Sequence, residues 1–167
     1  VNDGSTDKSA SIVRSFKDPR IRYFEKANGG TASAQNLGFS KLSGEFVALH
    51  DSDDLWLPEK LSTHIMHLQN YANVDVSYSY SQMIDSDGRA LRNCQRPKLR
   101  NIRVEDLLCH HPVGNGSNAV FRAKVLRDLL RKSPYVVDEN IAASHDVEMW
   151  VRIGILTGCR FEGLPKV

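Results

Sequence analysis

The chain has 167 residues, 41% hydrophobic and 25% charged, with 22 Lys+Arg against 20 Asp+Glu and a formal net charge of +2. That excludes a disordered tail, a collagen-like repeat and a low-complexity segment, and the charge balance gives no reason to expect a nucleic-acid partner. No apolar run approaches the ~20 residues of a membrane span, and three cysteines without metal-like spacing read as structural thiols.

Val1 runs into Asn2-Asp3-Gly4-Ser5, which reads as the last residue of a strand followed by a turn. With Pro165-Lys166-Val167 ending in mid-pattern, the expectation is a domain cut at both ends and lacking its first strand. Lys8 to Phe16 carries apolar residues at helical spacing, and Ile21 to Glu25 has strand composition. Asn28-Gly29-Gly30 reads as a loop and Thr31 to Leu42 as a helix. Phe46-Val47-Ala48-Leu49 is a continuous apolar run, expected as a strand buried on both faces of a parallel sheet.

Pro58 suits a first helical turn, and Leu61, Ile65, Met66 and Leu68 continue that helix. Val74, Val76, Tyr78 and Tyr80 alternate with polar residues and predict a strand with one open face. Asp85-Ser86-Asp87-Gly88 predicts a hairpin turn, and Arg92 to Arg103 an unpatterned mobile loop. Then follow a short helix at Val104 to Leu108, a strand at Asn118 to Phe121, a helix at Lys124 to Arg131, a helix around Val147 to Ile155 and a strand at Arg160 to Glu162. Alternating strands and helices imply an α/β fold with a mostly parallel sheet, in which ligands sit beyond the carboxyl ends of the strands.

Two acidic clusters occupy such ends: Asp3, and Asp51-Ser52-Asp53-Asp54 after the buried run. Three carboxylates within four residues repel one another unless they fan into water or meet a cation. Hard oxygen donors in that number suit Mg²⁺ or Mn²⁺ bridging substrate phosphates. A solvated acidic turn fits the cluster alone equally well. A haloacid-type aspartyl phosphatase, with the first Asp as nucleophile, is an alternative, although neither its downstream Lys nor its second acidic motif is legible.

Val1 to Asp7, Asn28 to Gly38 and Phe46 to Leu61, taken together, resemble the family 2 glycosyltransferases of the GT-A fold. Asn28, Gly30, Ala34, Asn36 and Gly38 match the second of these motifs, and Trp56, Pro58 and Leu61 the third. Asp146 with Trp150 and Arg152 matches a fourth. One departure is Gln35, where the family usually has Arg, which weakens a charge-assisted contact to the donor.

The resemblance implies a GT-A-type mixed sheet flanked by helices and an inverting transfer of a sugar from a nucleotide-sugar donor, UDP-linked, to a hydroxyl of a saccharide or lipid-linked acceptor. It implies donor contacts from Asp3, Asn28, Gly30, Gln35, Asp51 and Asp53, with Mn²⁺ or Mg²⁺ on Asp53 and Asp146 as the general base. Residues 1–73 would form the nucleotide-sugar part and 74–167 the acceptor part. Also implied are a bacterial polysaccharide or glycoconjugate pathway and a cytoplasmic location, with peripheral membrane association. An unpaired sheet edge would favour a homo-oligomer. A catalytically idle nucleotide-binding fragment is the non-enzymatic alternative. Asn36 and Gly38 read as helix packing, and His50 and His145 as structural histidines.

Overall fold

The computed structural model describes residues 1–166. In chain order the elements are α1 (Ser9–Ser15), α2 (Gly30–Ser40), β1 (Phe46–Ala48), α3 (Lys60–Asn70), β2 (Val76–Ser79), β3 (Ser81–Ile84), β4 (Ala90–Gln95), α4 (Val104–His110), β5 (Val120–Arg122), α5 (Lys124–Leu130), α6 (His145–Thr157) and β6 (Phe161–Leu164). The central sheet has the order β1-β5-β2-β6. β5 is antiparallel to both its neighbours and β2 is parallel to β6. Three of the four strands therefore run the same way, and the reversed β5 lies between two of them. The sheet is mixed, is flanked by helices, and draws on both halves of the chain.

β1 packs on both faces but is fully buried only at Val47, and it does not lie in a parallel pair, because its partner is the antiparallel β5. Val47 enters the main core while Phe46 and Ala48 pack against Leu68, Val74 and Val120 on the other face. The main core centres on Tyr78, Phe121 and Trp150, all at most 1% exposed, with Trp150 edge-on to Phe121 at 5.3 Å. Such a geometry suits the aromatic quadrupoles.

Three expectations change. Ile21 to Glu25 forms no strand among the described residues, only an isolated parallel bridge between Asn2 and Glu25. Two backbone hydrogen bonds to Asn2 hold it, from Lys26 N and to Phe24 O. β2 has no open face, since all four of its residues are buried. Its serines are tolerated inside because each finds polar partners: Ser77 Oγ meets His64 Nδ1 at 2.7 Å and His67 Nδ1 at 2.8 Å, and Ser79 N–H donates to Asn118 Oδ1 at 3.0 Å. The stretch from Arg92 is not an unpatterned loop, because Arg92 to Gln95 belongs to β4, paired with β3 across the predicted Asp85 to Gly88 turn.

Candidate functional site

β1 delivers His50 to Asp54 to the carboxyl end of the central sheet. The Asp51 N–H donates to Ser117 Oγ at 2.7 Å, and its carboxylate lies against Gly116. A Cβ at position 116 would fall 2.5 Å from Asp51 Oδ2, so a larger residue there would push the carboxylate aside. Burial pushes the Asp51 carboxyl above its ordinary value, and the charges of Asp54, Asp53 and Asp146 push the same way. Asp53 itself is exposed.

The chain after Asp54 wraps the same segment. The Trp56 indole N–H donates to the Ser117 carbonyl at 3.0 Å, and Lys60 Nζ donates to the Asn118 carbonyl at 2.6 Å. Lys60 also stands 5.5 Å above the Trp56 ring, in cation–π range, and burial pulls its ammonium down to about 8. Asn118 is tied in turn to Ser79 and Val113. Residues 115–118 thereby fix the acidic motif to the sheet. Their other side lines a cavity of about 600 Å³ shared with Trp56, Lys60 and Tyr80, with Asp54 at its edge.

A second cluster forms around Asp3. Its carboxylate accepts from Lys26 Nζ at 2.8 Å, from Gly29 N at 3.0 Å and from Gly30 N at 2.7 Å. The Lys26 ammonium and these two amides hold its pKa below the ordinary carboxylate value. Gly4, at φ +73°, lets the turn approach Asn28, whose amide nitrogen would lie 2.9 Å from a Cβ there. Asp3, Asn28 and Gly30 are thus brought together, and Asp3 anchors the loop that starts α2. Gln35, on α2, keeps a buried Oε1 with no hydrogen-bond partner. Asn36 packs as expected: its side chain exchanges two hydrogen bonds with the Val137 backbone and donates to Glu139.

Asp146 lies in the first turn of α6, half-buried. Trp150 faces the core, whereas Arg152 is structural. Its guanidinium grips Glu148, Ser133 Oγ and the carbonyls of Tyr135 and Val136, and stacks 4.6 Å above the Tyr135 ring. Asp53, Asp54 and Asp146 all lie within electrostatic reach of Asp51, although 95 positions separate Asp51 from Asp146. No hydrogen bond joins them to the Asp3 cluster among the described residues.

Among the described residues no three His, Cys, Asp or Glu side chains converge as a metal cage. The arrangement fits an ion held by one or two carboxylates and completed by water and substrate oxygens, the usual mode for Mg²⁺. Burial, then the like charges of Asp54, Asp53 and Asp146, disfavours the ionised Asp51, and a cation there would offset both. Gly116, Ser117, Asn118, Lys60 and His111 escaped the sequence reading. The run Gly114-Asn115-Gly116-Ser117-Asn118 was the available signal, a polar glycine-rich stretch just before a buried strand.

The model of a protein family described as glycosyl transferase family 2 matches residues 1–130. A glycosyltransferase of Rickettsia bellii is 30% identical over 158 residues, covering 92% of this chain and 21% of the relative. A glycosyltransferase of Rickettsia typhi is 31% identical over 156 residues, covering 91% of this chain and 47% of the relative. The crystal structure of S. aureus TarS 1-349 superposes with a TM-score of 0.73 at 19% identity, covering 99% of this chain and 47% of that one. This likeness shows the fold, of GT-A type. The chain thus spans about a fifth to a half of the length of these relatives. Among the described residues no helix is long and apolar enough to cross a membrane.

Proposed function

The chain belongs to glycosyl transferase family 2, and from that premise we propose that it carries the donor site and general base of an inverting sugar transferase acting on a nucleoside-diphosphate sugar, UDP-linked. The observation that supports the reading is that Asp53, close to Asp51 in the chain, and Asp146, from the first turn of α6, both lie near enough to Asp51 for their charges to act on its carboxyl. Family membership leaves no support for the phosphatase alternative.

In this reading Asp3 orders the loop beside the nucleotide, and Asn28 and Gly30 contribute its backbone. Gln35 offers its unpartnered Oε1 to the donor. Asp53 would hold Mn²⁺ or Mg²⁺ with Asp51 beside it. A divalent ion there supplies positive charge to the departing diphosphate. Asp146 takes the proton of the acceptor hydroxyl as that oxygen bonds to the anomeric carbon and the bond to UDP breaks. One carboxylate acting on the face opposite the leaving group inverts the centre, and reach to the hydroxyl matters more than basicity. The acceptor is a saccharide or lipid-linked hydroxyl of bacterial glycoconjugate synthesis, at the cytoplasmic face of the membrane.

Calorimetry with UDP tests the donor half. Binding should require Mn²⁺ and be lost in Asp53→Ala. Release of UDP from a panel of UDP-sugars by the complete protein tests the base. Asp146→Asn should slow it on the order of 10²–10⁴-fold with UDP affinity unchanged. Wild-type turnover in that variant would remove Asp146 from the role.

A further inference from the structure

His111 Nε2 is buried without a hydrogen-bond partner, and Asp146 Oδ2 lies 3.7 Å from it. Leaving such a group unpaired costs about 1–3 kcal/mol.

The ring is set there by a constrained backbone. His111 terminates α4 in the left-handed region, at φ 43° and ψ 64°. Histidine visits this region more readily than most residues, yet the conformation persists only where its surroundings impose it. Those surroundings are the buried Pro112 and Val113 and a turn in which Gly114 N–H donates to the His111 carbonyl at 3.0 Å. α4 also packs tightly on α6. Leu107 Cδ1 packs directly over Gly154, where a Cβ would meet it, and α4 thereby comes close enough to bring His111 to the start of α6.

Burial keeps the ring neutral, pulling its pKa down against the opposing pull of Asp146. A neutral ring donates from only one nitrogen, and Nε2 is the one facing the carboxylate. The distance is longer than a hydrogen bond, and rotation of the carboxylate about its soft terminal torsion closes it. Hydrogen bonds of this sort are often long before substrate is present.

We infer that His111 is a positioning residue for Asp146: its Nε2–H donates to Oδ2 and leaves Oδ1 directed at the acceptor hydroxyl. This rests on Asp146 being the base. The donated bond fixes the carboxylate against the end of α4 and offsets the nearby charge of Asp51. A simple cap role for His111 at the end of α4 would involve no exchange with Asp146.

The test is NMR on the full chain. The His111 ring nitrogens, identified by their loss in His111→Gln, should report the neutral Nε2–H form, and Asp146→Asn should shift the Nε2 signal. Because the Asp146 carboxylate favours the protonated ring, the His111 imidazole should protonate at lower pH in Asp146→Asn than in wild type. In the complete protein His111→Met should lower kcat for UDP release with UDP affinity unchanged, and His111→Gln, whose amide can reach as Nε2 does, should restore it; both variants carry similar backbone strain. An Nδ1–H tautomer in wild type, or an Nε2 signal and a ring titration that do not change in Asp146→Asn, would overturn the assignment. Should His111→Met not fold, the wild-type tautomer and the response to Asp146→Asn decide it alone. Failure of the base reading would show separately, as undiminished UDP release by Asp146→Asn with the His111 signals still responding to it.

Discussion

His64 gives the chain an acid-sensitive interior. It is 2% exposed on α3, and its Nδ1 shares the Ser77 hydroxyl with His67 Nδ1. The one hydroxyl proton of Ser77 can go to only one ring nitrogen, so Ser77 donates to one ring and accepts from the Nδ1–H of the other, and the accepting ring must be neutral. Burial, followed by the charges of Lys60 and His67, drives the His64 pKa from 6.5 down to about 3. The unfolded chain then binds a proton that the native one does not. Stability from this group is complete above about 6.5 and is lost as pH falls toward 3, at about 1.4 kcal/mol per pH unit. Between pH 7 and pH 5 the loss is about 2 kcal/mol, a large share of the 5–15 kcal/mol of an ordinary domain. Carboxylates also titrate in acid, so the comparison is with His64→Asn, whose amide stands where Nδ1 did and does not titrate. Urea denaturation at pH 7 and pH 5 measures both proteins. Wild type should lose about 2 kcal/mol more than the variant over this interval, whatever the variant costs at pH 7. Losses equal within about 0.5 kcal/mol would refute the claim that His64 is held neutral.

Gly116→Ala would force the Asp51 carboxylate aside from a Cβ 2.5 Å away, so UDP release should fall on the order of 10²-fold while the denaturation midpoint moves little. Arg152→Met should lower stability by about 3 kcal/mol in the same urea experiment, because Glu148 and the Tyr135 and Val136 carbonyls lose their shared donor. Asn36→Ala removes both bonds to the Val137 backbone and should cost about 2 kcal/mol, with faster amide exchange at Val137.

Most of the elements and the acidic motifs were legible in the sequence because each is a local property, whereas the GT-A class came through the resemblance to a family and the segments at Ile21 to Glu25 and Arg92 to Gln95 fold otherwise than their local pattern predicts. The apolar run Phe46 to Leu49 marks β1, helical spacing marks α3 and α6, and Asp85-Ser86-Asp87-Gly88 turns on its own hydrogen bonds. Pairing direction was not legible, since an apolar run reads alike beside a parallel or an antiparallel neighbour. The reversed β5 between β1 and β2 therefore came only with the fold. Nor did alternation reveal the buried hydroxyls of β2, because whether a serine can lie inside depends on distant partners such as His64, His67 and Asn118. The same reason hid most of the candidate site. Gly116 against Asp51 and His111 against Asp146 are contacts between segments far apart in the chain. The acidic cluster marked Asp51 as a candidate, and the family resemblance marked Asp146. What holds and shields them was decided by tertiary packing, through the wrapping of residues 115–118 and the close approach of α4 to α6.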